Sequence, residues 1–205
     1  MDKYIIFEVG ANNGQHTHKF VNTKNSHVYA FEPLPFLCEK IRSIFSNAQN
    51  LEIFDWAISD YDGISKFGIS DPNHGAKDYG CSSLFSFTEN IDSLWPDRGD
   101  FTFVEEIDVK VVRMDTFINE NNITHIDYLH CDAQGGDLKV LESFGDKINI
   151  LKSGVVEAAN NVSLYNIDNS TQSIVKFLEK NNFKILNPHD IGSAGQEVDI
   201  YFERL

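Results

Sequence analysis

The sequence predicts an α/β fold in which a mostly parallel β-sheet carries helices on both faces. Short apolar runs rich in β-branched and aromatic residues alternate along the chain with amphipathic segments at helical spacing. Two of these runs, Tyr4 to Val9 and Ile126 to Asp132, end in glycine-containing turns that lead into helices. Crossovers of this kind join parallel strands, so the predicted fold class is Rossmann-like.

The N-terminal half supplies four predicted strands, which are separated by helices and turns. They are expected at Tyr4 to Val9, His27 to Glu32, Leu51 to Ala57 and Ile64 to Ser70. A helix should follow the second strand, because apolar residues recur there at helical spacing: Leu34, Leu37, Ile41, Ile44 and Phe45.

The C-terminal half repeats the alternation of strands and helices. Helices are predicted at Met114 to Asn121, around Leu138 to Leu141 and within Thr171 to Asn182. Strands are predicted at Ile107 to Val112, Ile126 to Asp132, Gly154 to Ala158, Phe183 to Leu186 and Val198 to Phe202. The last two strands should close the sheet as a hairpin.

The segment from about 71 to 106 breaks this pattern and is interpreted as a loop or lid. It is dominated from Asp71 to Asp100 by Gly, Ser, Asn and Asp with scattered aromatic residues. Connections this long are usually functional, although a merely decorative insertion stays open. His74, Tyr79 and Trp95 within it, and Trp56 before it, could provide stacking surfaces or simply pack.

Composition and charge narrow the class of protein. With 205 residues and 41% hydrophobic content, the chain is expected to fold as one domain, residues 1–205. Its 31 acidic against 17 basic residues give a net charge of −14, which disfavours nucleic acid as a partner. No run approaches the ~20 apolar residues that span a bilayer, and no signal peptide is evident. Three widely spaced cysteines suggest a reducing, cytoplasmic location.

The tips of the first two strands indicate an adenosine-containing ligand. Gly10 and Gly14 open a strand-to-helix turn against which a ligand could lie, and Glu32 is placed to accept hydrogen bonds from ribose hydroxyls. The turn lacks the G-x-G-x-x-G triplet that holds a pyrophosphate. Glu8, two residues before Gly10, would repel a diphosphate but suits an ammonium or sulfonium. S-adenosyl-L-methionine carries both cations and no phosphate, so it is the predicted cofactor.

Five blocks in order resemble the FkbM-type methyltransferases. The first runs from Phe7 to Gln15 (FEVGANNGQ) and is joined by Val28 to Pro33 (VYAFEP). The likeness continues, up to about Glu157, through Ala57 to Asp60 with Gly63, Ser82 to Leu84, Val112 to Asp115, and Ile126 to Gly135.

The resemblance implies a fold, a cofactor and a reaction. The fold is that of class I methyltransferases, with a mostly parallel seven-stranded sheet and a C-terminal antiparallel hairpin. The reaction is S-adenosylmethionine-dependent O-methylation, most often of a sugar hydroxyl on a glycan or glycoconjugate, plausibly a deoxyhexose such as rhamnose. The matched blocks also imply cofactor contacts from Ala11, Asn12, Pro33, Ala57 and Ser83.

The chain departs from the family pattern at three positions. Where the family usually has Lys-Ile-Asp-x-Glu-Gly, this chain has His130 in place of the lysine and Gln134 in place of the glutamate. The first acid, commonly aspartate, is Glu8. These changes bear on which residues act as acid and base.

Methyl transfer to a neutral hydroxyl needs a group that removes a proton, which points to Asp132 and His130. Alternate strand residues share a face, so we expect the two side chains to lie together, with Asp132 nearer the ligand and able to contact the cofactor as well. Asp132 is then the base or the carboxylate that orients the acceptor, and His130 is its support or the base itself. His130 could instead be a buried, hydrogen-bonded core residue. Gln134, Glu157 and Asn160 are predicted to bind the acceptor through hydrogen bonds to its hydroxyls.

The sequence favours neither a metal ion nor a function other than methyl transfer. Asp132, Asp137 and Glu157 are oxygen ligands of the kind that Mg²⁺ prefers, but their spacing does not require an ion, and no metal is predicted. Three alternatives stay open: a nicotinamide-dependent oxidoreductase, a nucleoside-binding protein that has lost its chemistry, and an acidic module in which the long loop binds a protein partner.

Overall fold

The structure is a computed structural model that describes residues 3–70, 79–89, 91–94, 101–192 and 196–205. Its strands are β1 (Tyr4–Val9), β2 (Ser26–Phe31), β3 (Leu51–Phe54), β4 (Trp56–Ile58), β5 (Gly63–Ser70), β6 (Phe103–Val112), β7 (Tyr128–Cys131), β8 (Ser153–Ala159), β9 (Phe183–Ile185) and β10 (Glu197–Arg204). Its α-helices are α1 (Gln15–Val21), α2 (Pro35–Ile44), α3 (Ile91–Leu94), α4 (Met114–Glu120), α5 (Asp137–Ser143) and α6 (Thr171–Lys180). A 3₁₀ helix spans Gly145–Ile150.

Seven strands form the main sheet, in the spatial order β3-β2-β1-β7-β8-β10-β9. From β3 to β8 all neighbours pair in parallel, whereas β10 is antiparallel to both β8 and β9. The predicted mostly parallel sheet with a C-terminal antiparallel hairpin is confirmed. The chain order reverses direction beside β1, so β1 and β7 meet at the switch point where such sheets bind ligands.

Helices cover both faces of this sheet, as predicted. Neighbouring residues of β1 point to opposite faces. Ile6 packs with Phe20 of α1 on one face, and Phe7 packs edge-on against Phe117 of α4 on the other, with ring centroids 5.7 Å apart. Among the described residues, no helix is long and apolar enough to cross a membrane.

The prediction of one strand from Leu51 to Ala57 is wrong. The chain leaves the main sheet at Asp55, and β4 pairs in parallel with β6 in a second sheet of order β4-β6-β5. The strands predicted at Ile64 to Ser70 and Ile107 to Val112 exist, but they belong to this second sheet, where they pair antiparallel. Hydrophobic alternation predicts that a residue is extended; it does not show when the chain changes its pairing partner.

The structure describes part of the region predicted as a loop or lid. This region ends earlier than 106, because β6 begins at Phe103. Residues 79–89, hereafter the strap, are held at two antiparallel bridges, Gly68 with Ser83 and Phe87 with Tyr165. Residues 71–78, 90 and 95–100, which include His74 and Trp95, lie outside the described part of the chain. The interpretation of the region as a lid stays a prediction.

Candidate active site

A cleft opens at the carboxyl ends of β1, β2 and β7, where the sequence places its candidate cofactor site. Six of the predicted cofactor residues line it: Gly10, Asn12, Glu32, Pro33, Ala57 and Asp132. One predicted acceptor residue, Gln134, also lines it. The remaining wall is largely apolar and comes partly from the second sheet and the strap: Phe31, Trp56, Ile58, Phe67, Tyr79 and Leu84.

The turn after β1 is shaped by Gly10, which has the left-handed φ of 80°. Its N–H donates to the carbonyl of Phe31 at 2.9 Å, which joins the turn to the tip of β2. A Cβ atom at this position would overlap the backbone carbonyl oxygen of Asp132. Glycine is therefore required both by the backbone conformation and by the close approach of the β7 tip.

Glu32 is fixed at the end of β2 by backbone donors. Its Oε2 accepts from the Asn12 N–H at 2.7 Å, and its Oε1 accepts from the Leu34 N–H at 2.9 Å. Burial raises the pKa of this carboxyl group to about 7, despite the two hydrogen bonds that oppose the shift. Glu32 thus presents a held carboxylate to the cleft.

The side chain of Asn12 offers a hydrogen-bond acceptor to a ligand in the cleft. Asn12 has the left-handed φ of 47°, and its Oδ1 is buried without a hydrogen-bond partner within the described ranges. Such an oxygen is costly to leave unpaired, and a ligand donor would relieve the cost. The two acids Glu32 and Asp132, the amide oxygen of Asn12 and the apolar wall suit a nucleoside with a cationic tail, so the residues present fit S-adenosyl-L-methionine.

Glu8 does not reach the cleft, contrary to its predicted role as a direct partner of the cofactor. Its carboxylate is 1% exposed and accepts a hydrogen bond from Thr17 Oγ1 of α1 at 2.7 Å. Burial raises the pKa of Glu8 to about 8. Because Glu8 points to the face that α1 covers, it ties the turn to α1 instead of gripping a ligand cation.

Two other predicted cofactor residues, Ala11 and Gly14, support the turn from behind the cleft. Ala11 is buried and packs with Ile41 of α2. Gly14 has φ 82° at the start of α1, where a Cβ atom would meet the ring of Phe45 at 3.1 Å. Ala11 and Gly14 thus pack against α2 and the residue that follows it. Gly10 and Asn12 are the residues of the turn that line the cleft.

Asp132 and Gln134 form the wall of the cleft at the β7 tip. Gln134 Nε2 donates to Asp132 Oδ1 at 2.6 Å. Burial raises the pKa of Asp132, and so does the nearby charge of Asp199, whereas the hydrogen bond from Gln134 lowers it. A carboxylate in this position can accept a proton from a group bound in the cleft.

His130 packs under α1, away from the cleft. Its ring lies under α1, with ring centroids 4.2 Å from His16 and 5.6 Å from Phe20. His130 Nε2 contacts His16 Nδ1, and its own Nδ1 is buried without a partner among the described residues. Burial, and then the charges of His16 and Lys19, lower the pKa of His130 to about 4. It does not line the cleft, since the β7 strand turns it toward α1 while Asp132 lies beyond the strand end.

Glu157 and Asn160 stand beside the cleft at the tip of β8, outside its lining. Burial and the charge of Asp132 raise the pKa of Glu157 well above its usual range. Asn160 Oδ1 accepts from the Gly192 N–H at 2.7 Å, which fastens the loop before β10. Asn160 Oδ1 thus makes a structural contact, and the role of Asn160 in binding the acceptor stays a prediction.

Ser83 does not line the cleft, but it contacts Gln134 at the tip of β7. Its Oγ donates to the Gln134 carbonyl oxygen at 2.7 Å and accepts from the Phe85 N–H at 3.0 Å. It is 1% exposed. Ser83 thus anchors the strap to the residue that contacts Asp132.

Asp137 has a role that the sequence did not reveal. This fully buried carboxylate accepts from the backbone N–H groups of Ala133 and Glu157, both at 3.3 Å, and from Asn169 Nδ2 at the same distance. Burial, then the charge of Asp132, raise its pKa to about 7. It joins the tips of β7 and β8.

Among the described residues, no three His, Cys, Asp or Glu side chains are grouped to hold a metal ion.

The cleft lies at the switch point of the seven-stranded sheet and suits a nucleoside, and its turn lacks the G-x-G-x-x-G triplet that holds a diphosphate. These features are those of the class of S-adenosylmethionine-dependent methyltransferases. The chain belongs to the FkbM family of that class, because the model of the methyltransferase FkbM domain matches residues 8–185. The family resemblance and the predicted cofactor, S-adenosyl-L-methionine, are confirmed.

Comparisons with individual proteins agree with this assignment. The chain is 25% identical over 140 residues to the 2-O-methyltransferase NoeI of Sinorhizobium fredii (strain NBRC 101917 / NGR234), an alignment that covers 67% of this chain and 56% of NoeI. The chain thus spans little more than half of that relative.

Two solved structures share the fold at low sequence identity. The N-terminal domain of EvdMO1, crystallised in the presence of SAH and D-fucose, has a TM-score of 0.50 and 10% identity, over 98% of this chain and 76% of that one. The fibrillarin/Nop5p complex has a TM-score of 0.52 and 11% identity, over 100% of this chain and 74% of that one.

Proposed function

We propose that this protein is an O-methyltransferase that acts on a sugar hydroxyl of a glycan or glycoconjugate, with a deoxyhexose such as rhamnose as the expected sugar. The observation that carries the proposal is Asp132, a carboxylate that lines the cofactor cleft and is oriented by Gln134. Two relatives add support, since NoeI is a 2-O-methyltransferase and EvdMO1 was crystallised with D-fucose. The net charge of −14 favours a neutral or cationic acceptor over nucleic acid.

In this proposal the residues of the cleft divide the work between cofactor and acceptor. When bound, S-adenosyl-L-methionine supplies an electrophilic methyl group. Glu32 accepts hydrogen bonds from the ribose hydroxyls, and the Gly10 to Asn12 turn lets the cofactor lie against the backbone. Asp132 would hold the acceptor hydroxyl and take its proton as the oxygen–methyl bond forms and the sulfur–methyl bond breaks, with S-adenosylhomocysteine as the leaving group.

The acceptor would lie between the tips of β7 and β8. Gln134 and Glu157 offer an amide and a carboxyl group there, both suited to sugar hydroxyls. Raised carboxyl pKa values at these tips favour an acceptor that brings hydrogen-bond donors over one that brings negative charge.

The proposal is tested by mass spectrometry after incubation with methyl-labelled S-adenosyl-L-methionine and a panel of deoxyhexose glycosides. We expect one labelled methyl group on one hydroxyl of at least one glycoside, and no label on matched deoxy analogues lacking that hydroxyl. Methylation of a protein, nucleic acid or carbon acceptor instead would contradict the proposal. Tight binding of S-adenosylhomocysteine without transfer to any glycoside would favour the nucleoside-binding alternative.

A further inference from the structure

Tyr165, in the segment between β8 and α6, connects the strap to the β7 tip. It is 2% exposed and is one of the largest fully buried side chains of the described residues. Its ring stacks on Phe87 of the strap, with ring centroids 5.4 Å apart and an interplanar angle of 22°. The backbones of the same two residues form an antiparallel bridge. Its phenol group is therefore held firmly inside the protein.

The phenol hydroxyl meets two acceptors at the edge of the candidate site. Tyr165 Oη donates to Gln134 Oε1 at 2.8 Å and to the Cys81 carbonyl oxygen at 3.0 Å, a shared bond of the three-centre type. Because Oε1 of Gln134 faces this donor, the Nε2 end of the amide must face the opposite way. That end donates to Asp132 Oδ1 at 2.6 Å.

The backbone around Gln134 is shaped to the same tyrosine. Gln134 has a left-handed φ of 47° and Gly135 a φ of 86°. A Cβ atom at Gly135 would lie 2.6 Å from the Tyr165 ring, so the ring packs directly on the turn. Ser83 Oγ holds the Gln134 carbonyl at 2.7 Å. Side chain and backbone of Gln134 are thus fixed by separate contacts, and Tyr165 contributes to both.

We propose that Tyr165 is a positioning residue for the methyl-transfer site: its hydroxyl fixes the Gln134 amide so that the amide N–H is aimed at Asp132. The proposal rests on the function proposed above, in which Asp132 takes the acceptor proton. The strap then positions Tyr165 through two contacts: Phe87 stacks on its ring, and the Cys81 carbonyl oxygen accepts a hydrogen bond from its hydroxyl. Tyr165 itself does not line the cleft.

The expected consequence is a change in the titration of Asp132. The hydrogen bond from Gln134 lowers the pKa of Asp132, against the burial that raises it. Loss of the hydrogen bond should therefore raise that pKa and leave less of the carboxylate ionised at a given pH. Apart from Tyr165 itself, the charged and titratable groups that face Asp132 are unchanged by the substitution: His16 of α1, Glu32 after β2, Cys131 of β7, Asp137 of α5, Glu157 of β8 and Asp199 of β10.

The test is Tyr165→Phe, which keeps the buried ring and removes the hydroxyl. The Asp132 carboxyl carbon, labelled with ¹³C, is titrated by NMR in the S-adenosylhomocysteine complex. We expect its midpoint to rise by about 1 pH unit and the acid limb of kcat to move with it. Gln134→Met, which removes the amide, should give the same rise, and the double variant no more than either single variant. Tyr61→Phe, at an exposed turn, should give none.

The outcomes separate this inference from the proposed function. An unchanged Asp132 titration in Tyr165→Phe, in a variant that melts and binds S-adenosylhomocysteine like the parent, overturns the positioning role. Additive shifts in the double variant also overturn it, because the two residues would then act independently. Failure to methylate any glycoside removes the proposed function, while the NMR titration still decides whether Tyr165 orients Gln134 toward Asp132.

Discussion

Replacing Gly10 by alanine should weaken cofactor binding by roughly 100-fold or more, about 3 kcal/mol. The added Cβ atom would overlap the carbonyl oxygen of Asp132, which is backbone and cannot move without displacing the β7 tip. The left-handed φ of 80° adds strain for any residue with a side chain. Isothermal titration with S-adenosylhomocysteine measures the loss.

Gly192 provides a matched control for this substitution. It has nearly the same φ, 79°, but no atom of the described residues lies within 4 Å of the Cβ atom that alanine would add. Gly192→Ala should therefore cost about 1 kcal/mol of stability and leave the affinity for S-adenosylhomocysteine within a fewfold of the parent. Equal effects of the two substitutions would mean that the approach of the β7 tip to Gly10 is unimportant for the cofactor site.

Replacing Asp132 by asparagine should lower kcat by roughly 10²–10⁴-fold, the range of a general base. The amide has nearly the same shape and can still accept the hydrogen bond from Gln134 Nε2, which the carboxylate accepts at 2.6 Å. The fold should therefore persist while the capacity to take a proton is lost. Steady-state kinetics with saturating acceptor measures kcat, and titration with S-adenosylhomocysteine measures cofactor affinity.

The kinetic pattern distinguishes the two roles predicted for Asp132. If Asp132 is the base, its replacement lowers kcat and leaves the cofactor affinity nearly unchanged. If Asp132 only contacts the cofactor, its replacement weakens cofactor binding, and kcat recovers when the cofactor is saturating. Asp199→Asn is the control, because Asp199 is exposed and raises the pKa of Asp132 only through its charge. It should change kcat by no more than a fewfold. A comparable loss in both variants would assign the effect to charge alone.

Much of the fold could be predicted because its strands are short, apolar and bounded by turns. Tyr4–Val9 was predicted with the boundaries that the structure has, and the closing strands were recognised from alternation alone. The second sheet could not be predicted, because Phe54 and Trp56 fall in one stretch, Leu51 to Ala57, whose pattern predicts a single extended strand. Only tertiary pairing separates them, with Phe54 packed on Phe31 and Trp56 paired with Lys110 of β6.

The candidate site was predictable where backbone geometry restricts the residue type. Gly10 is an example, because its turn needs a left-handed backbone conformation. Glu32 is another, because it directly follows the end of the parallel strand β2. Side-chain direction was harder to predict, because the alternation rule holds only within a strand. It placed His130 beside Asp132, whereas β7 ends at Cys131 and Asp132 is already in the turn. The hydrogen-bond partners of Tyr165 could not be predicted, since they lie 31 and 84 residues away along the chain.

The cofactor claim is tested most directly by titrating the protein with S-adenosylhomocysteine between pH 6 and pH 8. Ribose hydroxyls donate to the ionised form of Glu32, whose pKa burial raises to about 7. A proton therefore competes with the ligand below that pH, and affinity should fall roughly tenfold from pH 8 to pH 6. Glu32→Gln should bind weakly with a flatter pH dependence, while Glu52→Gln, an exposed acid on β3, should behave like the parent. Unchanged binding in Glu32→Gln, or binding of a nicotinamide dinucleotide in place of S-adenosylhomocysteine, would contradict the account.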